Sequence, residues 1–224
     1  MERCVSKEIV LYNKDKEMHK IQLIIKRLID ICGSIVGIFL LIPITIFVIF
    51  LNMIFGDKGP VFYSHTRIGK NGKHFKMFKF RTMCMDADKK LEQILKNNES
   101  MRFEWEENRK LQNDPRITRV GRFIRKNSID EFPQFINVML GNMSLVGPRP
   151  VVDGEIEKYG EFKYKILSVK PGITGLWVTH GRSKIGYEKR VLLETSYVEN
   201  FSIWLDIKIL FKTIIQVIKK DGAC

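Results

Sequence analysis

The longest apolar segment of the chain runs from Ile31 to Gly56 without a charged residue. A helix of about 26 residues is roughly 39 Å long, whereas the hydrocarbon core of a bilayer is about 30 Å thick. Core helices of soluble proteins are seldom so long and so uniformly apolar. A cleaved signal peptide fits poorly, because the segment starts late and lacks a clear cleavage site. The pattern therefore predicts a helix inserted in a membrane.

The residues around this segment bear on its topology. Positive flanks prefer the cytoplasm, and here both flanks are positive, which favours a re-entrant hairpin over a single span. Pro43, near the middle, removes a helix hydrogen bond at a cost of about 3 kcal/mol or more and is the predicted break. A kinked spanning helix is the alternative. The nearest flanking cations are Lys20, Lys26, Arg27, Lys58, Arg67, Lys70, Lys73, Lys76, Lys79 and Arg81.

The rest of the pattern predicts a mainly helical α+β protein with three parts. Residues 1–20 are polar and read as a loose tail or short surface helix, 21–56 form the membrane hairpin, and 57–224 form a compact cytosolic domain. Alternation around the turn residues 69–72 predicts a β-hairpin within 57–85. The predicted helices cover 86–112, 117–126, 129–140, 155–168 and 186–219.

Composition agrees with one folded domain and adds a strong positive charge. The 224 residues are 45% hydrophobic and 28% charged, which excludes a disordered polymer, a collagen and a disulfide-stapled mini-protein. Lysine and arginine number 38 against 25 acids, a net charge of +13. This balance indicates an anionic partner, either nucleic acid, anionic lipid or a phosphate-rich substrate. The cysteines show no zinc-type spacing.

Arginine recurs every third residue at Arg116, Arg119, Arg122 and Arg125. On a helix this spacing makes a slowly drifting stripe. Guanidinium groups offer a fixed fork of donors that matches phosphate oxygens. The stripe is therefore a candidate phosphate site, and a solvated or headgroup-facing helix surface is the alternative.

Two adjacent acids follow the stripe. Ser128 and Glu131 have the spacing of a capping box, and Asp130 would be favoured in a first helical turn, so both acids have structural explanations. The functional alternative is an anion and metal site at a helix N-terminus, in which two carboxylates supply a nucleophile or base and a magnesium ligand. A second candidate is Arg149, which lies in a stiff loop between Pro148 and Pro150.

Taken together, the chain resembles the bacterial sugar transferase family, the small monotopic phosphoglycosyl transferases. The resemblance covers roughly residues 24–224. It is carried, in the family's order and spacing, by the blocks Lys79-Phe80-Arg81-Thr82-Met83, Asp114-Pro115-Arg116-Ile117-Thr118, Asp130-Glu131-Phe132-Pro133-Gln134, Asn137-Val138, Gly141-Asn142-Met143-Ser144-Leu145-Val146-Gly147-Pro148-Arg149-Pro150 and Lys170-Pro171-Gly172-Ile173-Thr174-Gly175-Leu176-Trp177.

The resemblance implies an enzyme that moves a sugar-1-phosphate from a UDP-sugar to undecaprenyl phosphate and releases UMP. This would be the first membrane step of capsule, exopolysaccharide or O-antigen synthesis. It implies a re-entrant helix broken at Pro43, at the cytoplasmic face of the bacterial inner membrane. The headgroups and phosphates would then account for the charge of +13, without nucleic acid. A homodimer is left open.

The family's functional residues can be carried over one by one. Asp130 is implied as nucleophile and Mg²⁺ contact, and Glu131 as a group that assists the metal or a proton. Arg125 and Arg149 are implied to bind substrate phosphates. The set of predicted substrate-binding residues is completed by Lys79, Arg81 and Arg122.

The sugar and the class of function leave alternatives. The segment from Gly181-Arg182 to Asn200 resembles hexose-1-phosphate transferases, which favours galactose or glucose; an N-acetylated or diacetamido sugar is the alternative. Val178 after Trp177 departs from the family's common pattern. A different class is a membrane-tethered basic module that binds nucleic acid or acidic proteins without catalysis. The helix around Trp204 reads either as interfacial or as core, and we favour core packing for Trp204.

Overall fold

The chain begins with one very long helix. The computed structural model describes residues 2–108, 111–181 and 185–219, except for the side chains of 2–19 and 107–108. Helix α1 spans Glu2–Ile54, so residues 2–20 are helical but continue α1, instead of forming a loose tail or a separate short surface helix. The helix also continues through Pro43, where we predicted a break; two residues later, Thr45 Oγ1 donates a hydrogen bond to Leu41 O at 2.7 Å. The re-entrant course stays a prediction.

Helix α1 is attached to the rest of the protein along one side and bare on the others. Its part Lys20–Ile54 is long and apolar enough to cross a membrane, and only 22% of its most apolar window is buried. The buried stripe includes Asp30, Ser34, Leu41, Val48 and Asn52, which recur at helical spacing. The exposed apolar side chains include Phe39, Ile46, Phe50 and Met53.

The predicted β-hairpin is confirmed. Strand β1 (Phe62–Ile68) pairs antiparallel with β2 (His74–Phe80), and Lys79 lies opposite Tyr63. The turn between them has positive φ at Asn71 and Gly72, a conformation that these two residue types tolerate. Because paired residues point to the same face, Lys79 and Arg67 share one face of the hairpin.

The remaining elements confirm a mainly helical α+β fold. The predicted helix 129–140 begins as a 3-10 turn, Ile129–Glu131, and 155–168 begins as a second 3-10 segment, Ile156–Phe162. The α-helices after the hairpin are α2 (Ala87–Asn97), α3 (Glu99–Asn108), α4 (Arg119–Lys126), α5 (Gln134–Met139), α6 (Lys163–Leu167), α7 (Tyr187–Glu199) and α8 (Ile203–Lys219).

Two segments outside the predicted helices and the predicted β-hairpin pair as short parallel strands. Strand β3 (Ser144–Val146) lies beside β4 (Gly172–Thr174). The backbones touch where the strands lead into the loops: a Cβ at Gly147 would lie 2.5 Å from Lys170 O, and one at Gly172 would lie 2.1 Å from Gly147 N. No side chain fits at either position, so the two loops form one unit.

Three hydrophobic clusters form the core of the described part of the chain. One joins α5, β3 and α8, a second lies around Tyr159 and Ile166, and the third joins α1 to β2 and α4. The third cluster contains Leu41 and Val48 of α1 together with Phe80, Val120 and Ile124. It therefore supports both the strand that carries Lys79 and the helix that carries Arg125.

Helix α8 exposes an apolar face. Trp204 is 64% exposed, so our expectation that it packs in the core is wrong. The exposed apolar residues recur every three or four positions, which places them on one side of the helix. They are Trp204, Ile207, Phe211, Ile214 and Ile218.

Candidate active site

Two adjacent carboxylates lie beside the same lysine, Lys79, at the end of the β-hairpin. Lys79 Nζ lies 3.5 Å from Asp130 Oδ2 and 3.5 Å from Glu131 Oε1. The Asp130 side chain is 16% exposed, against 39% for Glu131 and 27% for Lys79. The structure thus brings together three of the predicted site residues. At 3.5 Å the lysine contacts are long for charge-assisted hydrogen bonds, so neither acid is tightly neutralised.

The turn that presents the acids differs from a capped α-helix. Asp130 and Glu131 lie in the 3-10 turn Ile129–Glu131, and Ser128 precedes it in a left-handed conformation with φ of 55°. The Ser128 side chain makes no capping hydrogen bond there. The capping box is therefore not formed, and helix capping does not explain the presence of Glu131.

Burial perturbs Asp130. Loss of hydration raises the pKa of the Asp130 carboxyl, and the neighbouring Glu131 charge raises it further, whereas Lys79 and Arg125 partly oppose the shift. A poorly hydrated carboxylate with a raised pKa is more basic than an ordinary one. Such a carboxylate is suited to act as a nucleophile or a base.

Arg125 approaches the acids from α4. Thr118 Oγ1 caps this helix by accepting from Gly121 N at 2.9 Å. Arg125 Nε donates to Thr82 Oγ1 at 2.9 Å, which fixes the direction of the guanidinium. Burial lowers the pKa of Arg125, and the Asp130 charge counters that effect. Thr82 is thus an orienting residue that the sequence did not single out.

The other three arginines of the predicted stripe are not equivalent to Arg125. Arg116 precedes α4, is buried, donates to both oxygens of Asp114 at 2.7–3.2 Å, and lies over Trp105. Arg119 and Arg122 are exposed on α4. The four-residue stripe is therefore wrong, because the helix begins only at Arg119. Arg122 as a substrate-binding residue stays a prediction.

Arg81 holds the backbone together instead of facing the acids. Its Nε donates to Pro60 O at 2.6 Å, one terminal nitrogen to Met83 O at 2.9 Å, and the other to Asp57 at 2.9 Å. All three guanidinium nitrogens of Arg81 therefore donate to groups of the protein. The structure thus gives Arg81 a scaffolding role at the exit of α1, and its predicted contact with the substrate stays a prediction.

Arg149 lies in a second basic neighbourhood. Its backbone N donates to Glu194 at 3.1 Å, and its guanidinium lies 5.6 Å from the centroid of the Trp177 ring. Arg67 donates to Pro150 O at 3.3 Å, and burial together with the Arg149 charge lowers the pKa of Arg67 to about 10.

The hairpin connects this neighbourhood to the acids. Arg67 lies four residues along β1 from Tyr63, the partner of Lys79, a distance of about 13 Å along the strand. Lys79 and Arg67 both influence the pKa of His65, which lies between them on this face and whose pKa is lowered chiefly by burial. The two basic neighbourhoods are therefore the two ends of one hairpin face.

Asn137 is a further residue that sequence reasoning left without a role. Its Oδ1 accepts from Phe78 N at 2.9 Å, and its Nδ2 donates to Lys76 O at 2.7 Å. These two bonds attach α5, which carries Asn137, to the backbone of β2. Asn137 is fully buried. A polar residue in the apolar context of α5 was the available signal, and its effect is to fix Lys79 relative to Asp130.

The acids could hold a cation only with help from a substrate. Within the described ranges there is no group of three or more acidic, histidine or cysteine side chains that could bind a metal. Mg²⁺ is usually bound by one or two carboxylates plus substrate phosphates and water. Asp130 and Glu131 are two carboxylates whose charges Lys79 neutralises only in part. They therefore match the usual protein contribution to a Mg²⁺ site.

Comparisons with known proteins show which proteins the chain is similar to. The chain is 49% identical over 200 residues to the UDP-galactose-lipid carrier transferase of Erwinia amylovora, covering 89% of this chain and 41% of the relative. It is 47% identical over 199 residues to the undecaprenyl-phosphate galactose phosphotransferase of Salmonella typhimurium, with 89% and 41% covered. It therefore spans about four-tenths of the length of these two relatives.

A relative of similar size also matches. The exopolysaccharide production protein ExoY of Rhizobium meliloti is 45% identical over 198 residues, which cover 88% of this chain and 87% of the relative. Arg182, in the segment that we used to predict the sugar, lies outside the described residues. The family model described as bacterial sugar transferase matches residues 21–220. The chain belongs to the bacterial sugar transferase family.

Proposed function

We propose that this chain transfers a sugar-1-phosphate from a UDP-sugar to undecaprenyl phosphate, in the synthesis of a capsule, exopolysaccharide or O-antigen. The observation that carries the proposal is the Asp130 carboxylate, poorly hydrated, raised in pKa, and only loosely paired with Lys79 at 3.5 Å. Family membership and the names of two relatives, one a lipid carrier transferase and one an undecaprenyl-phosphate phosphotransferase, support the substrate classes.

In the first step an Asp130 oxygen attacks the β-phosphorus of the UDP-sugar. The bond from that phosphorus to the bridging oxygen breaks, and UMP leaves with the electron pair. The product is an aspartyl-phosphosugar, an acyl phosphate. No proton has to be supplied, because UMP is stable as an anion at neutral pH.

In the second step an oxygen of the lipid phosphate attacks the same phosphorus. The acyl–phosphate bond breaks and the Asp130 carboxylate is restored. The product is a lipid-linked diphosphate that carries the sugar. Each step exchanges one high-energy phosphate bond for another, so the reaction needs no ATP.

Cations around the acids reduce the repulsion between an anionic nucleophile and an anionic donor. Two unit charges 4 Å apart interact by about 4 kcal/mol at an effective dielectric near 20. Lys79 and Arg125 both carry positive charge beside Asp130 and stabilise charge that develops on the phosphoryl oxygens. Asp130 and Glu131 would hold Mg²⁺, which when bound neutralises charge on the donor phosphates.

Arg149 is assigned to the donor at the other end of the hairpin face. The loop that carries it is fixed by the paired strands β3 and β4 and by the Glu194 contact. The spacing of about 13 Å along β1 suits a ligand that extends from the acids toward Trp177. A sugar nucleotide is such a ligand, with its attacked phosphorus at Asp130.

The membrane location rests on two exposed apolar surfaces. Helix α1 is bare on most sides from Lys20 to Ile54, and α8 exposes a row of apolar side chains that includes Trp204 and Phe211. Lipid would cover both surfaces. We propose that α1 enters and leaves the cytoplasmic face of the inner membrane as a re-entrant helix bent at Pro43, which brings the acids to the level of the lipid phosphates.

Galactose-1-phosphate is the first candidate for the transferred group. Two of the relatives described above have a sugar in their names, and in both names the sugar is galactose. Glucose-1-phosphate is the second candidate. The two donor sugars differ only in the configuration at one hydroxyl. The choice between them therefore depends on the contacts that the protein makes to that hydroxyl.

The test is a UMP-release assay with purified full-length chain in detergent. The reaction contains undecaprenyl phosphate, Mg²⁺ and one member of a panel of UDP-sugars that includes galactose, glucose and N-acetylated sugars. We expect UMP release over many turnovers that depends on the lipid phosphate and on Mg²⁺, with UDP-galactose the best donor. Folded chain that releases no UMP from any donor contradicts the proposal and favours a binding module.

The covalent intermediate is tested separately by leaving out the acceptor. With donor alone, the chain should release about one UMP per active site and gain the mass of one hexose phosphate on Asp130. A stable adduct at another residue contradicts the assignment of Asp130 as nucleophile. Release of UMP only when the lipid phosphate is present, without an adduct, contradicts the two-step course.

A further inference from the structure

One turn of α1 carries three charged residues that reach into the body of the protein. Lys26, Arg27 and Asp30 lie just before the uncharged segment of the helix, and together they contact α5, β3 and α8. We counted Lys26 and Arg27 from the sequence as charges flanking a membrane segment. The structure gives both of them partners inside the protein.

Asp30 holds the strand that leads to Arg149. One of its oxygens, Oδ1, accepts from Ser144 Oγ at 2.9 Å and from Leu145 N at 2.8 Å. Asp30 is buried, and so is Ser144. A buried carboxylate that accepts a backbone N–H of a three-residue strand fixes the position of that strand. Four residues after Leu145 the chain reaches Arg149.

Lys26 holds the same strand from its other end. Its Nζ donates to Val146 O at 2.9 Å and pairs with Asp206 of α8 at 2.5 Å. Tyr197 OH closes the network by donating to Asp206 at 2.8 Å, and it also lies 3.2 Å from Val146 O. Val146 is therefore held through its carbonyl, immediately before Gly147 of the Arg149 loop.

Arg27 holds the helix that follows the acids. Its two terminal nitrogens donate to Val138 O at 2.7 Å and Met139 O at 2.8 Å, the last carbonyls of α5. Val138 O also accepts from Gly141 N, just after the helix, at 3.0 Å. A cation beside the last carbonyls of a helix interacts favourably with the helix dipole. Helix α5 starts three residues after Glu131, and Asn137 in it fixes β2 and hence Lys79.

We infer that Lys26, Arg27 and Asp30 are positioning residues, through which one turn of the membrane helix sets both the Arg149 loop and the acid pair. The inference rests on the proposed function, since it assigns the positioned groups to that site. The membrane helix is then part of the active-site framework as well as an anchor. Asp30 acts on the donor end of the site through β3, and Arg27 acts on the acid end through α5.

The experiment measures full-length Asp30→Asn and Ser144→Ala in the UMP-release assay. Asp30→Asn keeps the shape of the side chain but removes its charge, whereas Ser144→Ala removes the hydroxyl that donates to Asp30 Oδ1. Both weaken the contact between Asp30 and β3. We expect KM for the donor to rise by roughly tenfold in Asp30→Asn and less in Ser144→Ala, with a smaller change in kcat. Flotation with lipid vesicles should be unchanged. The matched control is Thr45→Val, because among the described residues the Thr45 side chain bonds only to Leu41 O of its own helix.

A double-mutant cycle separates positioning from general stability. If Asp30 acts through Arg149, then Asp30→Asn should raise the donor KM much less in an Arg149→Lys background than in the wild type. An equal rise in both backgrounds overturns the inference. If Asp30→Asn does not fold, the same cycle with Ser144→Ala decides.

The outcomes distinguish the inference from the proposed function. Wild-type chain that releases UMP, with folded Asp30→Asn and Ser144→Ala variants that keep the wild-type donor KM, contradicts only the inference. Wild-type chain that releases no UMP contradicts the proposed function, and the inference falls with it. If Thr45→Val raises the donor KM as much as Asp30→Asn does, the inference is also overturned. The effect of changes in α1 would then not depend on the contacts of Asp30 with β3.

Discussion

Two acid–cation pairs lie in the same part of the molecule and differ in almost every physical respect. Asp114 and Arg116 are both buried and joined by hydrogen bonds of 2.7–3.2 Å. Burial by itself would raise the pKa of Asp114, but hydrogen bonds from Arg116 outweigh it and hold the pKa below its ordinary value. Asp130 is largely but not fully buried, yet its nearest cation, Lys79, is 3.5 Å away and its pKa is raised.

The difference shows which pair serves the fold and which is available for chemistry. A tightly paired acid has no free capacity to bind a cation or attack a substrate. An acid that is dehydrated without full compensation destabilises the folded state, and such strain is retained at functional sites. Replacement of the two acids should therefore have opposite effects on activity and on stability.

The first prediction concerns Asp130→Asn. Loss of the nucleophile should lower kcat for UMP release by at least about 10⁴-fold. The thermal midpoint should stay equal or rise, because a raised pKa means that the folded state penalises the charged form at neutral pH. Activity and thermal unfolding are measured on the same preparation. A fall in both would place Asp130 with Asp114 among the structural acids.

The second prediction concerns Asp114→Asn, which should destabilise the protein. Removal of one partner leaves the buried Arg116 charge uncompensated, at a cost of about 3 kcal/mol or more. The lowered pKa of Asp114 means that its stabilisation exists above the unfolded pKa and is lost as the pH falls through the folded pKa. Denaturant unfolding at neutral and acidic pH measures this. A variant as stable as the wild type breaks the contrast.

The third prediction concerns Lys79→Met, which should slow the reaction and shift its pH dependence. Loss of the cation should lower kcat by about 10²-fold. Lys79 lowers the pKa of Asp130, so its removal should raise that pKa further and move the acidic limb of the pH–rate profile to higher pH. Lys76→Met, at an exposed position of the same strand, is the matched control. An unshifted limb would show that Asp130 does not govern it.

The smallest effect is expected for Thr82→Val. The substitution keeps the shape but removes the acceptor that fixes Arg125 Nε. Loss of one such hydrogen bond, about 1 kcal/mol, should reduce kcat/KM about fivefold. The thermal midpoint should change little. A rate equal to that of the wild type would indicate that Arg125 needs no orientation by Thr82.

The sequence predicted what depends on local chemistry. The hairpin followed from alternation and the Asn71-Gly72 turn, and the 3.6-residue pattern located the helices. The parallel pairing of β3 with β4 did not follow, because the strands have three residues each and are joined through glycine backbones far apart in sequence. The long continuous α1 was missed at its start, where the polar residues 2–20 gave no apolar pattern.

The site was predicted unevenly for the same reason. Asp130 and Glu131 came from the family resemblance, since the residues alone favoured a helix cap. Arg81 and Arg149 both lie in family blocks, but their roles depend on partners such as Asp57 and Trp177, which only the fold brings near. Asp30 and Lys26 were hidden because a charge beside an apolar segment is ordinarily read as membrane topology.

The backbone contact between Gly147 and Gly172 has a consequence for engineering this family. Two loops whose main chains touch cannot be exchanged one at a time, since each is shaped to the other. A chimera meant to switch the donor sugar would need to graft 147–150 and 170–177 together from the same parent. Grafts of a single loop should yield misfolded or inactive protein regardless of which sugar the parent prefers.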